Sequence, residues 1–126
     1  MLSNSNIFPS IAVKDIEEAV PFYRDTLGLD VREENGMLWL HLPGGGEILA
    51  YPKADHEPAV FTVMNIQVPD VEQAVIDLRS SGVQMEQYDD PEYGTDENGI
   101  SDGSAAGMPK VAWFRDPSGN ILSVMS

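Results

Sequence analysis

The stretch Lys110-Val-Ala-Trp-Phe-Arg-Asp-Pro-Ser-Gly-Asn-Ile-Leu-Ser-Val-Met-Ser126 decides the fold of this chain. Two apolar runs flank Asp116-Pro117-Ser118-Gly119, which has the residue types of a type I turn followed by a left-handed glycine. This turn predicts a β-hairpin with a glycine bulge, in which Asp116 opposes Asn120. Counting outward, Trp113 then opposes Ser123, and the two side chains share one face of the sheet.

Upstream of this hairpin, apolar residues recur with either the period of a strand or the period of a helix. The pattern predicts strands at 7–13, 29–33, 37–42, 47–51, 60–68 and 83–88. It predicts helices at 16–27 and after Pro69-Asp70, with Asp15 and Asp70 as N-caps. In the first strand, Ile7 and Ile11 are expected to pack on the helix.

The chain contains an internal duplication. Ser10-Ile-Ala-Val-Lys-Asp-Ile-Glu-Glu-Ala-Val20 resembles Asn65-Ile-Gln-Val-Pro-Asp-Val-Glu-Gln-Ala-Val75, with matching positions 55 residues apart. Each half reads as strand, helix and three strands. The sequence therefore predicts an α+β fold of two tandem βαβββ repeats, which form a curved mixed sheet around a cleft with the helices outside. We expect a single domain over 1–126, with repeat one at about 5–52, a linker at 53–59 and repeat two at about 60–126.

Composition narrows the function classes. The formal net charge is −14, with 21 Asp and Glu against 7 Lys and Arg. Because this charge repels phosphate and anionic lipid, we expect no nucleic acid and no membrane among the partners. Cys is absent, which excludes disulfides and thiolate metal sites. No signal-peptide pattern or apolar run of about 18 residues is found, so the expected location is cytoplasmic.

The duplicated pattern resembles the vicinal oxygen chelate superfamily, which includes glyoxalase I, extradiol dioxygenases, an epimerase, and fosfomycin- and bleomycin-resistance proteins. The resemblance is carried by Val13-Lys-Asp15, by Phe22-Tyr-Arg-Asp-Thr-Leu-Gly-Leu29 and by Asp116-Pro-Ser-Gly-Asn120. It implies a site in the cleft, a homodimer, and in most enzymes of the group a divalent metal held by His, Gln and Glu. The fold hosts several activities, so function must be argued from the site.

The four metal-ligand positions of the superfamily can be carried over to this chain. They correspond to Phe8, Val63, Ser123 and Ala50, with Leu49 as a one-residue alternative to Ala50 because of the Gly44-Gly45-Gly46 run. Hydrocarbon side chains offer no lone pairs, and a lone Ser hydroxyl is a weak ligand. We therefore expect no metal cofactor at these positions.

Alternation along the strands predicts which residues face the cleft. The expected ligand-binding set is apolar and aromatic with a few polar members, as in small-molecule pockets: Phe8, Ser10, Ile48, Ala50, Val63, Asn65, Gln67, Trp113, Arg115 and Ser123. Trp39 has no assigned side, because its register depends on the glycine turn. The favoured function is binding of a small aromatic or amphipathic molecule, as in the bleomycin-resistance branch. The alternatives are a lyase (glyoxalase I-like), dioxygenase or epimerase of the same superfamily with a non-standard or metal-free site, and a module that binds another protein.

No catalytic residue can be assigned from the sequence. His56 is expected to be a solvated linker residue, and His41 lies near a strand end without an identified partner. If a metal site has been misplaced, Glu47 or His41 is a candidate ligand. The acidic segment 89–107 is expected to be a mobile, solvated loop, with a lid as the alternative.

Overall fold

The structure is a computed structural model that describes residues 1–126, apart from the side chain of Ala105. The chain divides into two compact units, Met1–Glu57 and Pro58–Ser126. The first unit contains, in order, β1 (Ser10–Val13), α1 (Ile16–Pro21), a π-helical turn (Phe22–Thr26), β2 (Asp30–Glu34), β3 (Met37–His41) and β4 (Glu47–Pro52). The second contains β5 (Thr62–Gln67), α2 (Val71–Ser80), β6 (Ile100–Asp102), a 3-10 turn (Ser104–Ala106), β7 (Lys110–Arg115) and β8 (Ile121–Met125).

The predicted duplication and fold class are confirmed. Each unit has a four-stranded mixed sheet, with the order β1-β4-β3-β2 in the first and β5-β8-β7-β6 in the second. The first strand of each unit pairs in parallel with the last, and the remaining pairs are antiparallel. The structure thus contains two sheets of the same topology, one in each unit.

One face of each sheet packs against the helix of its own unit. In the first unit, α1 contacts β3 and β4, and the buried residues include Val13, Tyr23, Leu38 and Leu40. In the second, α2 contacts β7 and β8, and the buried residues include Val71, Val75, Phe114 and Leu122. In the described part of the chain, no helix is both long enough and apolar enough to cross a membrane.

The closing hairpin has the predicted geometry. Asp116 N donates to Asn120 O at 2.9 Å, and Trp113 pairs directly with Ser123. The buried Asp116 carboxylate organises the turn: Oδ1 accepts from the backbone N–H groups of Ser118 and Asn120, and Oδ2 accepts from Asn120 Nδ2, each at 2.9 Å. Gly119 has φ of +88°, as the turn requires. The turn fixes the pairing of β7 with β8.

The start of the chain differs from the prediction. β1 begins at Ser10, and Ile7 does not pack on the helix, because its side chain is 79% exposed. Pro9 has no N–H to donate to a sheet, so the strand begins after it.

In the predicted helix, Asp15 caps the N-terminus as expected, and the helix changes to π-helical form directly after Pro21. Proline lacks the N–H of the α-helical ladder, which accounts for the change at this point.

The predicted strand at 83–88 is wrong, and so is the fully solvated loop at 89–107. Only Met85 forms a bridge, to Phe114, while β6 lies inside the supposed loop, where Ile100 and Ser101 are buried. Because Ile100 pairs with Ala112, it occupies the position that residue 87 would take in an uninterrupted antiparallel strand. The second strand of this unit is therefore split, and residues 87–99, which we call the excursion, are inserted between its two pieces.

The excursion closes at Gly99, which has φ of +81°. A Cβ at this position would lie 2.9 Å from Met85 Cβ and 3.1 Å from Glu86 O. We predict that Gly99→Ala loses at least about 1 kcal/mol more stability than Gly107→Ala, since overpacking adds to left-handed strain. Gly107 is the matched control, because it has φ of +76° and open space around the added Cβ. Urea unfolding of both variants measures the difference, and equal midpoints would refute it.

We predict that Asp116→Ala destabilises the chain by about 2–4 kcal/mol, because three N–H donors lose their acceptor, two of them backbone groups in a buried turn. Thermal and urea unfolding measure the loss. Asp102→Ala is the control, since this exposed carboxylate also accepts a backbone N–H, that of Ser104, at 3.0 Å. A loss in Asp102→Ala as large as that in Asp116→Ala would contradict the special role of the buried turn.

Candidate functional site

The second unit contains a pocket of about 510 Å³ on the face of its sheet that carries Trp113. The walls come from the segment leading into β5, from the excursion, and from β7 and β8. The lining residues are Pro58, Ala59, Val60, Phe61, Thr62, Tyr88, Tyr93, Trp113, Arg115 and Ile121. Most of these side chains are aromatic or aliphatic, and few are polar, which is the make-up of a small-molecule site.

Three aromatic rings form one wall of the pocket. The centroid of Trp113 lies 5.3 Å from that of Tyr88 and 6.1 Å from that of Tyr93, and the two tyrosines are 6.2 Å apart. The interplanar angles of 69° to 77° are those of edge-to-face contacts, which aromatic rings prefer. Trp113 is also held by a hydrogen bond from Nε1 to Thr62 Oγ1 at 3.2 Å. The indole is therefore fixed in orientation and remains partly exposed.

Arg115 supplies the only cationic group among the described pocket walls. Its Nε donates to Glu86 Oε1 at 2.5 Å, and its Nη1 donates to Gly119 O at 2.9 Å. Glu86 follows Met85, which forms the β-bridge with Phe114, and the Glu86 backbone N–H donates to Trp113 O at 2.8 Å. This backbone pairing positions the Glu86 side chain. The side-chain pair thus ties the first piece of the split strand to the hairpin turn.

Two pocket tyrosines have perturbed ionisation. Desolvation, followed by the nearby Glu86 carboxylate, raises the pKa of Tyr88 above its ordinary value. The Asp90 carboxylate is the main cause that raises the pKa of Tyr93. The hydrogen bond to Glu86 raises the pKa of Arg115 further, so the guanidinium is charged at any physiological pH.

The structure brings some of the predicted site residues of the second unit together. Trp113 and Arg115 line the pocket, and Ser123 lies beside Trp113 and donates to Asn65 Oδ1 at 2.7 Å. Gln67 lies further along β5, opposite Met125. Val63 is displaced by a register shift, because Thr62 rather than Val63 pairs with Ile121, and Thr62 lines the pocket.

In the first unit, the register separates the four predicted residues. Ser10 pairs with Leu49, which pairs with Trp39, so these three share a face, and Phe8 contacts Trp39 with ring centroids 4.8 Å apart. Ile48 and Ala50 are one residue out of this register, so their side chains point to the opposite face and are buried there. Leu49, and not Ala50, is therefore the counterpart of Ser123.

The same register assigns a place to Trp39. The row Ser10–Leu49–Trp39 of the first unit corresponds to the row Asn65–Ser123–Trp113 of the second, so the two tryptophans occupy equivalent positions in the repeat. The environments differ. Trp39 has the Arg32 guanidinium 5.7 Å from its ring centroid, and a small pocket of about 110 Å³ lies beside it.

The residues at the four metal-ligand positions of the superfamily do not fit a divalent ion. Leu49, Phe8 and Val63 have hydrocarbon side chains, and the Ser123 hydroxyl is fully buried and donates to Asn65. The alternative ligands His41 and Glu47 oppose each other across β3 and β4, but Glu47 accepts from Arg32 Nη1 at 3.3 Å. Among the described residues, no group of three or more His, Asp and Glu side chains is arranged to hold a metal ion.

His56 differs from its prediction as a solvated residue. It is 9% exposed, and its Nε2 is buried without a hydrogen-bond partner. A turn in which His56 N donates to Lys53 O at 3.0 Å reverses the linker at this point. The prediction of a solvated residue rested on the polar residues on either side of His56, and their polarity gives no sign of this turn.

Sequence reasoning missed the pocket walls that come from outside the regular strands. These are the segment 58–62 and the two tyrosines of the excursion. Tyr88 and Tyr93 stand out in the sequence as aromatic residues in an acidic segment, which is a usable signal for a loop that packs on something. The sequence does not show that they pack on Trp113, because this contact depends on the split strand.

Comparison with known proteins identifies the family. The chain belongs to the glyoxalase/bleomycin resistance protein/dioxygenase superfamily, whose model matches residues 7–124. No curated protein sequence matches the chain at a significant level. The resemblance expected from the sequence is thereby confirmed.

Solved structures share the fold at low identity. A glyoxalase family protein from Enterococcus faecalis has a TM-score of 0.70 at 18% identity, and the alignment covers 100% of both chains. A fosfomycin resistance protein from Listeria monocytogenes, in complex with Mn(II) and 1S,2S-dihydroxypropylphosphonic acid, has a TM-score of 0.68 at 15% identity, covering 99% of this chain and 90% of that one. A glyoxalase/bleomycin resistance protein from a Streptomyces species has a TM-score of 0.63 at 21% identity, covering 97% and 100%. At these identities the likeness shows the fold alone.

We predict that the pocket tyrosines ionise at higher pH in the folded chain than in urea. Because the folded pKa of Tyr88 is raised above the unfolded value of about 10, its contribution to stability is complete below that pH and is lost as the pH rises through the folded pKa. Absorbance at 295 nm against pH measures the titration. Tyr88→Phe should reduce the late-titrating part of the curve by the amplitude of one tyrosine, and an unchanged curve would contradict the assignment.

Proposed function

We propose that this protein binds a planar aromatic or amphipathic small molecule in the pocket beside Trp113. The observation that supports this is the wall of three rings, Trp113, Tyr88 and Tyr93, with the indole held by Thr62 and still partly exposed. Such a wall offers large apolar area whose rotamers are already restricted, so a flat ligand can stack at low entropic cost. The pocket volume of about 510 Å³ suits a drug-sized molecule.

The chemistry of the walls supports binding over catalysis. Among the lining residues, the Thr62 hydroxyl is engaged by Trp113, and the Arg115 guanidinium is bound to Glu86. A nucleophile needs an adjacent base, and a base needs an oriented partner and room to reach its substrate. No such pair lines the described pocket. We therefore favour a sequestering role, as in the bleomycin-resistance branch, over a lyase, dioxygenase or epimerase.

We predict that Trp113→Ala weakens the binding of planar aromatic compounds by about tenfold or more, because the stacking wall is lost. The matched control is Trp39→Ala, which removes the equivalent tryptophan of the other repeat and should leave affinity unchanged. Calorimetry with compounds found in a fluorescence screen measures both, and circular dichroism checks folding. If Trp113→Ala binds every compound that the unsubstituted chain binds, the proposal fails.

The homodimer and the cytoplasmic location expected from the sequence stay proposals. Neither is needed for the pocket beside Trp113, since all of its described lining residues belong to the second unit.

A further inference from the structure

The charge of the pocket beside Trp113 is set by one ion pair. Arg115 is the single Lys or Arg among the lining residues, and its guanidinium donates to the Glu86 carboxylate at 2.5 Å. The pair is partly shielded from water, with Arg115 42% and Glu86 26% exposed at the side chain. The cation that would attract an anionic ligand is therefore already neutralised.

Two of the five N–H donors of Arg115 are also engaged within the protein. Nε donates to Glu86, and Nη1 donates to Gly119 O at 2.9 Å. A carboxylate or phosphate group on a ligand would need the paired donors that bidentate recognition uses. A ligand anion that uses Nε in such a pair has to displace Glu86.

The remaining charge near the rings is negative. Asp90 Oδ1 accepts from the backbone N–H groups of Glu92 at 2.8 Å and of Tyr93 at 3.3 Å, so this carboxylate is held at the turn that carries the Tyr93 ring. Aromatic faces themselves attract cations through their quadrupoles. Both the rings and the adjacent carboxylate therefore favour a positively charged ligand.

We propose that Glu86 is a specificity-determining residue, which by neutralising Arg115 makes the pocket beside Trp113 select cationic planar aromatic ligands over anionic ones. This inference rests on the proposed binding function and adds the charge class of the ligand. In Glu86→Gln, Arg115 keeps its charge and loses its counter-ion, so the preference should shift toward anions. In Arg115→Met, the Glu86 carboxylate is left unpaired, so the preference for cations should increase.

Three flat probes of similar size separate charge from shape: 1-methylquinolinium, 1-methylnaphthalene and 1-naphthoate. Binding is followed by the indole N–H signal of Trp113 in nitrogen–proton correlation spectra, assigned with Trp39→Phe. In the unsubstituted chain, 1-methylquinolinium should bind about five- to tenfold more tightly than 1-naphthoate at low salt, with a smaller ratio at high salt. Glu86→Gln should reverse the order, and Arg115→Met should increase the ratio.

The matched control is Glu97→Gln, which makes the same change of charge at an exposed position of the excursion outside the pocket lining. It should leave the ratio within about twofold of the unsubstituted chain, as expected for a screened surface charge. The backbone signals of each variant report whether the fold is kept. If Glu86→Gln does not fold, Arg115→Met tests the same ion pair in the opposite direction.

The outcomes distinguish this inference from the proposed function. If all three probes shift the Trp113 signal with equal affinity, or 1-naphthoate binds most tightly, the charge preference is refuted and the binding function stands. If Glu86→Gln and Glu97→Gln change the ratio equally, the ion pair is not its cause and the inference is refuted. If no probe shifts the Trp113 signal and the compound screen also fails, both proposals are overturned.

Discussion

The buried carboxylate of Asp116 is the constraint on which the second unit depends. It accepts three N–H groups within one turn, so the chain between β7 and β8 has one conformation that satisfies its buried donors. This fixes the pairing of the two strands, and with it the face on which Trp113 and Arg115 stand. Because Arg115 also donates to Gly119 O, the site is tied directly to the turn.

The two repeats show how one framework acquires a site. Trp39 and Trp113 occupy equivalent rows, but the described pocket beside Trp113 has a volume of about 510 Å³ and the one beside Trp39 about 110 Å³. In the first unit, β2 is continuous, and Arg32 and Phe8 contact the tryptophan. In the second, the split strand admits the excursion, which places two tyrosines around the indole. The difference between the units is an insertion at a sheet edge, where added residues leave the core pairing intact.

Membership of the glyoxalase/bleomycin resistance protein/dioxygenase superfamily is a statement about the framework. The turn at Asp116 and the capped helices, on which the resemblance rests, are structural devices that do not determine what the site contains. In this chain the pocket beside Trp113 is lined by aromatic rings and by Arg115, which pairs with Glu86, while Leu49 and Ser123 lie at positions that the resemblance assigns to metal ligands. The pocket therefore has to be interpreted from its own residues.

The sequence by itself determined the elements whose causes are local. The duplication, the caps at Asp15 and Asp70, and the pairing of Trp113 with Ser123 follow from periodicity and turn chemistry, which act over a few residues. Part of the candidate site was predictable for the same reason, since Trp113 and Arg115 are placed by the hairpin alone. Only the tertiary structure decided the rest. Three features depend on which distant strands pair: the bulge that places Thr62 instead of Val63 at the pocket, the register that buries Ala50, and the split strand that brings Tyr88 and Tyr93 to Trp113. Side-chain direction reverses with each single-residue shift of register, so local sequence patterns do not determine these positions.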